Sequence, residues 1–212
     1  MWNLRGRDAT KLPDNKGRGG SSEMLTAPRV PPGAYQVRLT VNGRALTQRV
    51  ELVKDPRAAA TDDDLRATYA LAREAHDLLG RVHDAVLRLR DIRAQAESWR
   101  DRVAAPPIKT AAQALARALT AVEEELIQVR SDNPRMFPAK LNTRIGTVIG
   151  LIDYADAPPT QALRDLTADL ARRAESELGR LERLIAEDVA RFNAQCRDAG
   201  VAAIVSKPTE RG

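Results

Sequence analysis

From Leu65 to Val103, a mostly apolar set of residues returns every three or four positions: Leu65, Tyr69, Ala72, His76, Leu79, Val82, Val86, Leu89, Ile92, Ala96, Trp99 and Val103. That recurrence is the stripe of an amphipathic helix. At about 1.5 Å per residue, a helix over 62–104 spans about 60 Å. Such a length suits a bundle better than a compact globule. Thr61 followed by Asp64 reads as an N-cap with an acid at the third helical position, and Asp62 and Asp63 suit the positive end of the helix. Pro106-Pro107 ends the run.

Three more helical stretches follow. One covers about 108–130, with Leu115, Leu119, Val122, Leu126 and Val129. A shorter one covers about 138–155, with Pro138 as its first residue and Leu141, Ile145, Val148, Ile149 and Ile152 inside. The last runs from about Thr160 to Ala199, carries Leu163, Leu166, Leu170, Ala174, Leu178, Leu181, Ile185, Val189 and Phe192, and has Gly200 as its cap. Short breaks, "SDNPRMFP" and "DAPPT", separate them. Four helices joined in this way predict an antiparallel up-and-down four-helix bundle over 58–200, with a tail at 201–212. Aromatic residues make up only 3% of the chain, so the core must be built from Leu, Val, Ile and Ala. The 212 residues make one large or two small domains. A chain of that size buries about 70% of its unfolded surface and needs no staples.

The region before the helices has a different period. Tyr35, Val37, Leu39 and Val41 alternate with Gln36, Arg38 and Thr40, the signature of a half-buried strand. Asn42-Gly43 is a two-residue hairpin turn. Across it Val41 faces Arg44, Leu39 faces Leu46, and Tyr35 faces Val50. The hairpin spans 34–53, and Pro56 closes the second strand. One face, formed by Tyr35, Val37, Leu39, Leu46 and Val50, is apolar and is the candidate interaction face. Residues 5–29, with "DNKGRGGSSE" in their middle, read as a mobile loop.

No catalytic constellation is legible. His76 and His83 lie seven residues apart. That spacing is about 10 Å along a helix axis, too far to share a metal. They read as a partly buried His76 and a rim His83. Glu123, Glu124 and Glu125 read as a solvated face, because consecutive helical residues diverge. Cys196 has no base beside it and no second cysteine to bond, and Trp99 reads as a core or interface anchor. "GRGG" at 17–20 lacks the strand and helix of a phosphate loop. No metal or cofactor is expected. The net charge of +5 permits polyanion binding, and Arg88, Arg90, Arg93, Arg172, Arg173, Arg180 and Arg183 give two helices a basic look. Asp84, Asp91, Glu175, Glu177 and Glu182 interrupt both stretches, which argues against nucleic acid. No apolar run reaches membrane-spanning length, and the first twenty residues lack a signal-peptide core.

The order of motifs carries a resemblance. "WNLR" at 2–5, "VPPGAYQVRLTVNGRALTQRVELVKDPR" at 30–57, "VHDAVLRLRDIRAQ", "FPAKLN", "APPT" and "FNAQCRDAG" resemble the C-terminal region of bacterial sortilin-like, BNR-repeat β-propeller proteins, often labelled glycosyl hydrolase or sialidase-like. In that family an Ig-like module follows the propeller and a helical segment ends the chain. The resemblance implies that 1–57 is a partial Ig-like β module, with "WNLR" as a late-entering strand and the variable loop after it. It places any glycosidase chemistry in a propeller, and no Asp-box is present here. The implied role is non-catalytic docking on a β-propeller domain or another protein, with export if the chain belongs to a family-length parent and a cytoplasmic site otherwise. Two alternatives stand beside it: a stand-alone basic helical protein that binds nucleic acid or another polyanion, and part of a hydrolase whose active site lies elsewhere.

Overall fold

The computed structural model describes residues 3–13, 22–130, 137–200 and 204. The chain is mainly helical with one small two-stranded antiparallel sheet. Its elements, in order, are a single helical turn α1 (Ser22–Leu25), strands β1 (Gly33–Val41) and β2 (Arg44–Leu52), and helices α2 (Asp62–Arg102), α3 (Pro106–Leu126), α4 (Leu141–Asp153) and α5 (Gln161–Arg183). A six-residue π-helical segment, Leu184–Val189, joins α5 to α6 (Ala190–Asp198) without a break.

Helix α2 begins where its sequence places it. Thr61 Oγ1 accepts from the Asp64 amide at 3.1 Å, and Asp64 Oδ2 accepts from the Thr61 amide at 2.9 Å. The two bonds together make a complete capping box. Pro106 and Pro107 do not merely stop α2. They form the first turn of α3, where a proline's missing N–H leaves no bond unmade. Pro138, by contrast, is outside α4. Lys140 is the N-cap, and the Pro138 carbonyl instead accepts from Gln128 Nε2 at 3.2 Å. Residues 131–136 of the expected loop lie outside the described residues.

Polar pairs between helices give their directions. Arg90 and Arg93 on α2 both hold Glu123 on α3, and Arg93 also reaches Thr120, so moving forward along α2 moves backward along α3. Lys140 binds Glu125 at the α3 end, while the Ala157 carbonyl, just past α4, accepts from Thr68 near the start of α2. Helix α4 therefore also runs against α2. Arg81 pairs with Glu175 at 2.5 Å and Arg88 with Glu182 at 2.6 Å. Seven residues along α2 match seven along α5, so these two helices are parallel. Alternation of four helices up and down would set α5 against α2. Here α3 and α4, with 21 and 13 residues, share one lane alongside the 41 residues of α2. The buried cluster between the lanes holds Leu79, Val86, Leu89, Ile92, Leu119, Leu126, Ile145, Leu181 and Phe192.

The N-terminal segment is not the free loop that its composition suggests. Residues 3–13 and 22–30 lie against α2 and α4 as an arm. Leu12 and Leu25 join the core cluster. The Ala9 amide donates to Leu25 O at 2.8 Å, and Arg5 pairs with Asp153 at 2.7 Å. Gly146 on α4 admits this arm: a Cβ there would stand 2.9 Å from Met24 Cβ. Met1, Trp2 and residues 14–21 lie outside the described residues. The described part of "WNLR" forms a single antiparallel bridge, Arg5 with Arg29, rather than a strand beside β1.

Candidate functional site

Strands β1 and β2 pair in the register that the turn dictates: Val41 with Arg44, Leu39 with Leu46, Val37 with Gln48 and Tyr35 with Val50. Asn42 has φ 48° and Gly43 has φ 77°. Both sit in the left-handed region, as a type I′ turn requires. Because side chains alternate across a strand and cross-strand partners share a face, Tyr35, Val37, Leu39, Val41, Leu46 and Val50 lie together on one side. The opposite side carries Gln36, Arg38, Thr40, Thr47, Arg49 and Glu51.

The structure separates the candidate residues into two groups. Tyr35 and Val50 are half-buried at the base of the hairpin, and the Tyr35 hydroxyl donates to Pro31 O at 2.6 Å. Burial there, with a smaller effect of nearby Tyr69, raises the Tyr35 pKa. Val37, Leu39 and Leu46 are 44%, 59% and 72% exposed. The helices therefore leave the outer half of the apolar face uncovered. The sheet edges are open too. In a two-residue hairpin the pair flanking the turn is hydrogen-bonded, so alternate pairs face outward. The N–H and C=O groups of Ala34, Gln36, Arg38 and Thr40, and of Ala45, Thr47, Arg49 and Glu51, point away from the partner strand. Among the described residues no third strand pairs with them.

The other exposed large apolar residues lie outside the two strands. Leu4, Val53, Leu151, Tyr154 and Leu166 belong to the hairpin base, the end of α4, the α4–α5 turn and the first turns of α5. All lie at the end of the molecule where α2 begins. The periodic reading missed Leu151 and Tyr154; the available signal was their position off the α4 stripe at its C-terminal end.

Two grooves flank the arm. The larger, about 620 Å³, runs between arm residues 6–11 and α2, where Tyr69, Arg73, His76, Asp77 and Asp84 line it. The smaller, about 190 Å³, lies at the hairpin base, between Pro31, Leu52 and Val53 on one side and Leu65, Tyr69 and Asp153 on the other. The polar lining of the larger groove is mostly self-paired. Arg73 holds Asp77 at 3.0 Å, and Thr10 donates to Asp84 at 2.7 Å.

Other singled-out residues move inward. His76 is buried and donates from Nε2 to Leu25 O at 3.1 Å. His83, expected at the rim, is fully buried: its Nδ1–H donates to Thr10 O at 2.6 Å, and among the described residues its Nε2 has no partner. Burial lowers the His83 pKa, against the opposing effects of the Thr10 bond and Asp84. Glu123, expected in solvent, is only 3% exposed and lies between Arg90 and Arg93. Glu124 and Glu125 stay at the rim with Arg130 and Lys140. Cys196 is buried, and burial raises its thiol pKa. Trp99 packs half-buried against the core. Asp62, Asp63 and Asp64 sit in the first turn of α2.

The basic stretches are occupied by ion pairs. Arg88 binds Glu182, Arg90 and Arg93 bind Glu123, Arg172 and Arg173 reach Asp169, and Arg180 reaches Glu177. Among the described residues no three metal-ligating side chains converge, and no helix is long and apolar enough to cross a membrane. The chain matches no protein-family model, no curated protein and no solved structure.

Proposed function

We propose that this chain is a non-catalytic interaction module whose docking end is the β1–β2 hairpin. Its partner is a protein domain that supplies further β-strands, extending the sheet at its open edges and covering the apolar face. In this reading the hairpin is the last pair of strands of an Ig-like module, the helices form a bundle that supports it, and the resemblance to sortilin-like, BNR-repeat proteins makes a β-propeller protein the expected neighbour. The observation that carries the reading is the exposure of Val37, Leu39, Val41 and Leu46 on one face of the hairpin, beside strand edges that no other strand pairs among the described residues. A two-stranded hairpin is marginal by itself, and an open edge is a template for another strand. The ion-paired arginines support a protein partner over a polyanion, since a phosphate would have to compete with carboxylates already in place.

Site-specific photo-crosslinking tests this. A photoreactive residue at Val37 should yield an adduct that maps, by mass spectrometry, to a β-strand of one protein, while the same group at Arg172 should not. Burying Leu39 and Leu46 contributes about 1.5–3 kcal/mol each, so Leu39→Asp with Leu46→Asp should weaken the captured partner's binding at least 100-fold. Retained affinity in that double variant, or crosslinks to nucleic acid alone, would overturn the reading.

A further inference from the structure

Residues 5–13 and 24–30 are tied to α2 by two histidines, one on each limb of the arm. His83 Nδ1 donates to Thr10 O at 2.6 Å, and His76 Nε2 donates to Leu25 O at 3.1 Å. These bonds sit beside the two side chains that anchor the arm in the core, Leu12 and Leu25. Arg90 adds a bond to Pro13 O at 2.9 Å, and Thr10 one to Asp84 at 2.7 Å. The helical turn of the arm at Met24 fits only because α4 carries Gly146 opposite it.

We propose that His83 makes this arm an acid-released strap: with a neutral imidazole the arm is docked, and when Nε2 takes up a proton the arm leaves the α2–α4 face and uncovers an apolar groove. His83 is fully buried, and Nε2 is one of two buried polar side-chain atoms without a partner among the described residues; the other is Asn142 Nδ2 on α4. A proton on Nε2 would thus create a buried cation with an unbonded N–H, a state the protein leaves by exposing the ring to water.

The surrounding charges do not rescue that cation. On α2, Asp84 is the carboxylate whose field reaches His83, and it already accepts from Thr10. Asp77 lies 4.0 Å from His76 Nδ1 and is held by Arg73. From the arm, Arg7, Asp8 and Lys11 line the groove, and Asp8 accepts from the Ala27 amide. On α3, Glu123 is taken by Arg90 and Arg93, and on α5, Glu175 is taken by Arg81. On α4, Arg144 turns to the Ala139 carbonyl and Asp153 binds Arg5 and Arg29. Burial dominates, and the His83 pKa in the docked state lies below its ordinary value of 6.5. The sign follows. Docking is at full strength above about pH 6.5, where both docked and released imidazoles are neutral, and is lost progressively as the pH falls from there toward the depressed value.

Amide hydrogen exchange on the full chain at pH 7.5 and pH 5.0, expressed as protection factors, tests the strap. The Ala9 and Ala27 amides, which bond within the arm, should lose at least tenfold protection at the lower pH. The Leu79 and Ile92 amides of α2 should keep theirs. His83→Asn places an uncharged N–H donor where Nδ1 stood, so the arm of this variant should be equally protected at both pH values. Gly146→Val, which crowds Met24, should undock the arm at both. Unchanged arm protection in the wild type would overturn the proposal. So would parallel loss in α2, or a pH-dependent loss that persists in His83→Asn. If His83→Asn is undocked throughout, an NMR titration of the wild type decides: the arm amides and the His83 ring must share one midpoint, and different midpoints would refute the strap.

Discussion

At the scale of single residues, Glu123 shows what a charge run conceals. Three consecutive glutamates stand about 100° apart around a helix, so at least one of them is turned toward a neighbour. Here it is Glu123, buried between Arg90 and Arg93, whose side chains are themselves only about a quarter exposed. A buried carboxylate is tolerable while it is paired; removing the partners leaves an uncompensated charge. Arg90→Met with Arg93→Met should therefore destabilise the chain by about 3 kcal/mol, read as a lower midpoint in urea unfolding. Adding Glu123→Leu to that pair should recover most of the loss, since the triad is then replaced by apolar packing. The local sequence could not reveal this arrangement, because the guanidinium groups come from about thirty residues upstream. His83 escaped the sequence reading for the same reason: it looks like a rim position until the arm, seventy-three residues away along the chain, places the Thr10 carbonyl on it.

At the scale of elements, legibility follows how local each signal is. The β1–β2 register is readable residue by residue, because a two-residue Asn-Gly loop determines every pair that follows it. The start of α2 is readable because a capping box spans only four residues. Prolines mislead in both directions: Pro107 reads as a break but opens α3, while Pro138 reads as an opening but lies in the loop before α4. The stretch expected as one helix over 160–199 carries a π segment that no spacing announces. Its wider turn lets Leu184 and Ile185 both touch the core before Val189, Phe192 and Cys196 resume the stripe. Helix α4 invites a quantitative test. Gly150 is exposed, helical, and has nothing within 4 Å of a built Cβ. Gly150→Ala costs no space and removes freedom from the unfolded chain, so it should stabilise the protein by about 0.5–1 kcal/mol, measurable as a higher denaturation midpoint with unchanged slope. Gly146→Ala, four residues earlier, should do the opposite, because there the methyl meets Met24.

At the scale of the whole molecule, the buried core and the exposed apolar face of the hairpin belong to different elements. Loop lengths suggest four helices in alternation, but a lane can be shared. Splitting the descending lane into α3 and α4 returns α5 to the starting end, parallel to α2, and brings the α4–α5 turn next to the hairpin base. No spacing rule distinguishes a turn that reverses the chain from one that merely interrupts a lane; only long-range pairs such as Arg81–Glu175 do. The consequence can be tested by excision. The buried cluster contains residues of the arm and of every helix from α2 to α6, but none from 33–59. Replacing residues 34–51 with a short Gly-Ser linker should leave the far-ultraviolet helical signal intact and shift the thermal midpoint by no more than about 2 °C, because almost no apolar core area is lost. Shortening the chain by residues 3–13 should cost several degrees, because Leu12 and the bonds of Thr10 to His83 and Asp84 go with it. If the hairpin excision unfolded the helices instead, the face formed by Val37, Leu39 and Leu46 would have to be counted as part of the core rather than as a surface kept open for a partner.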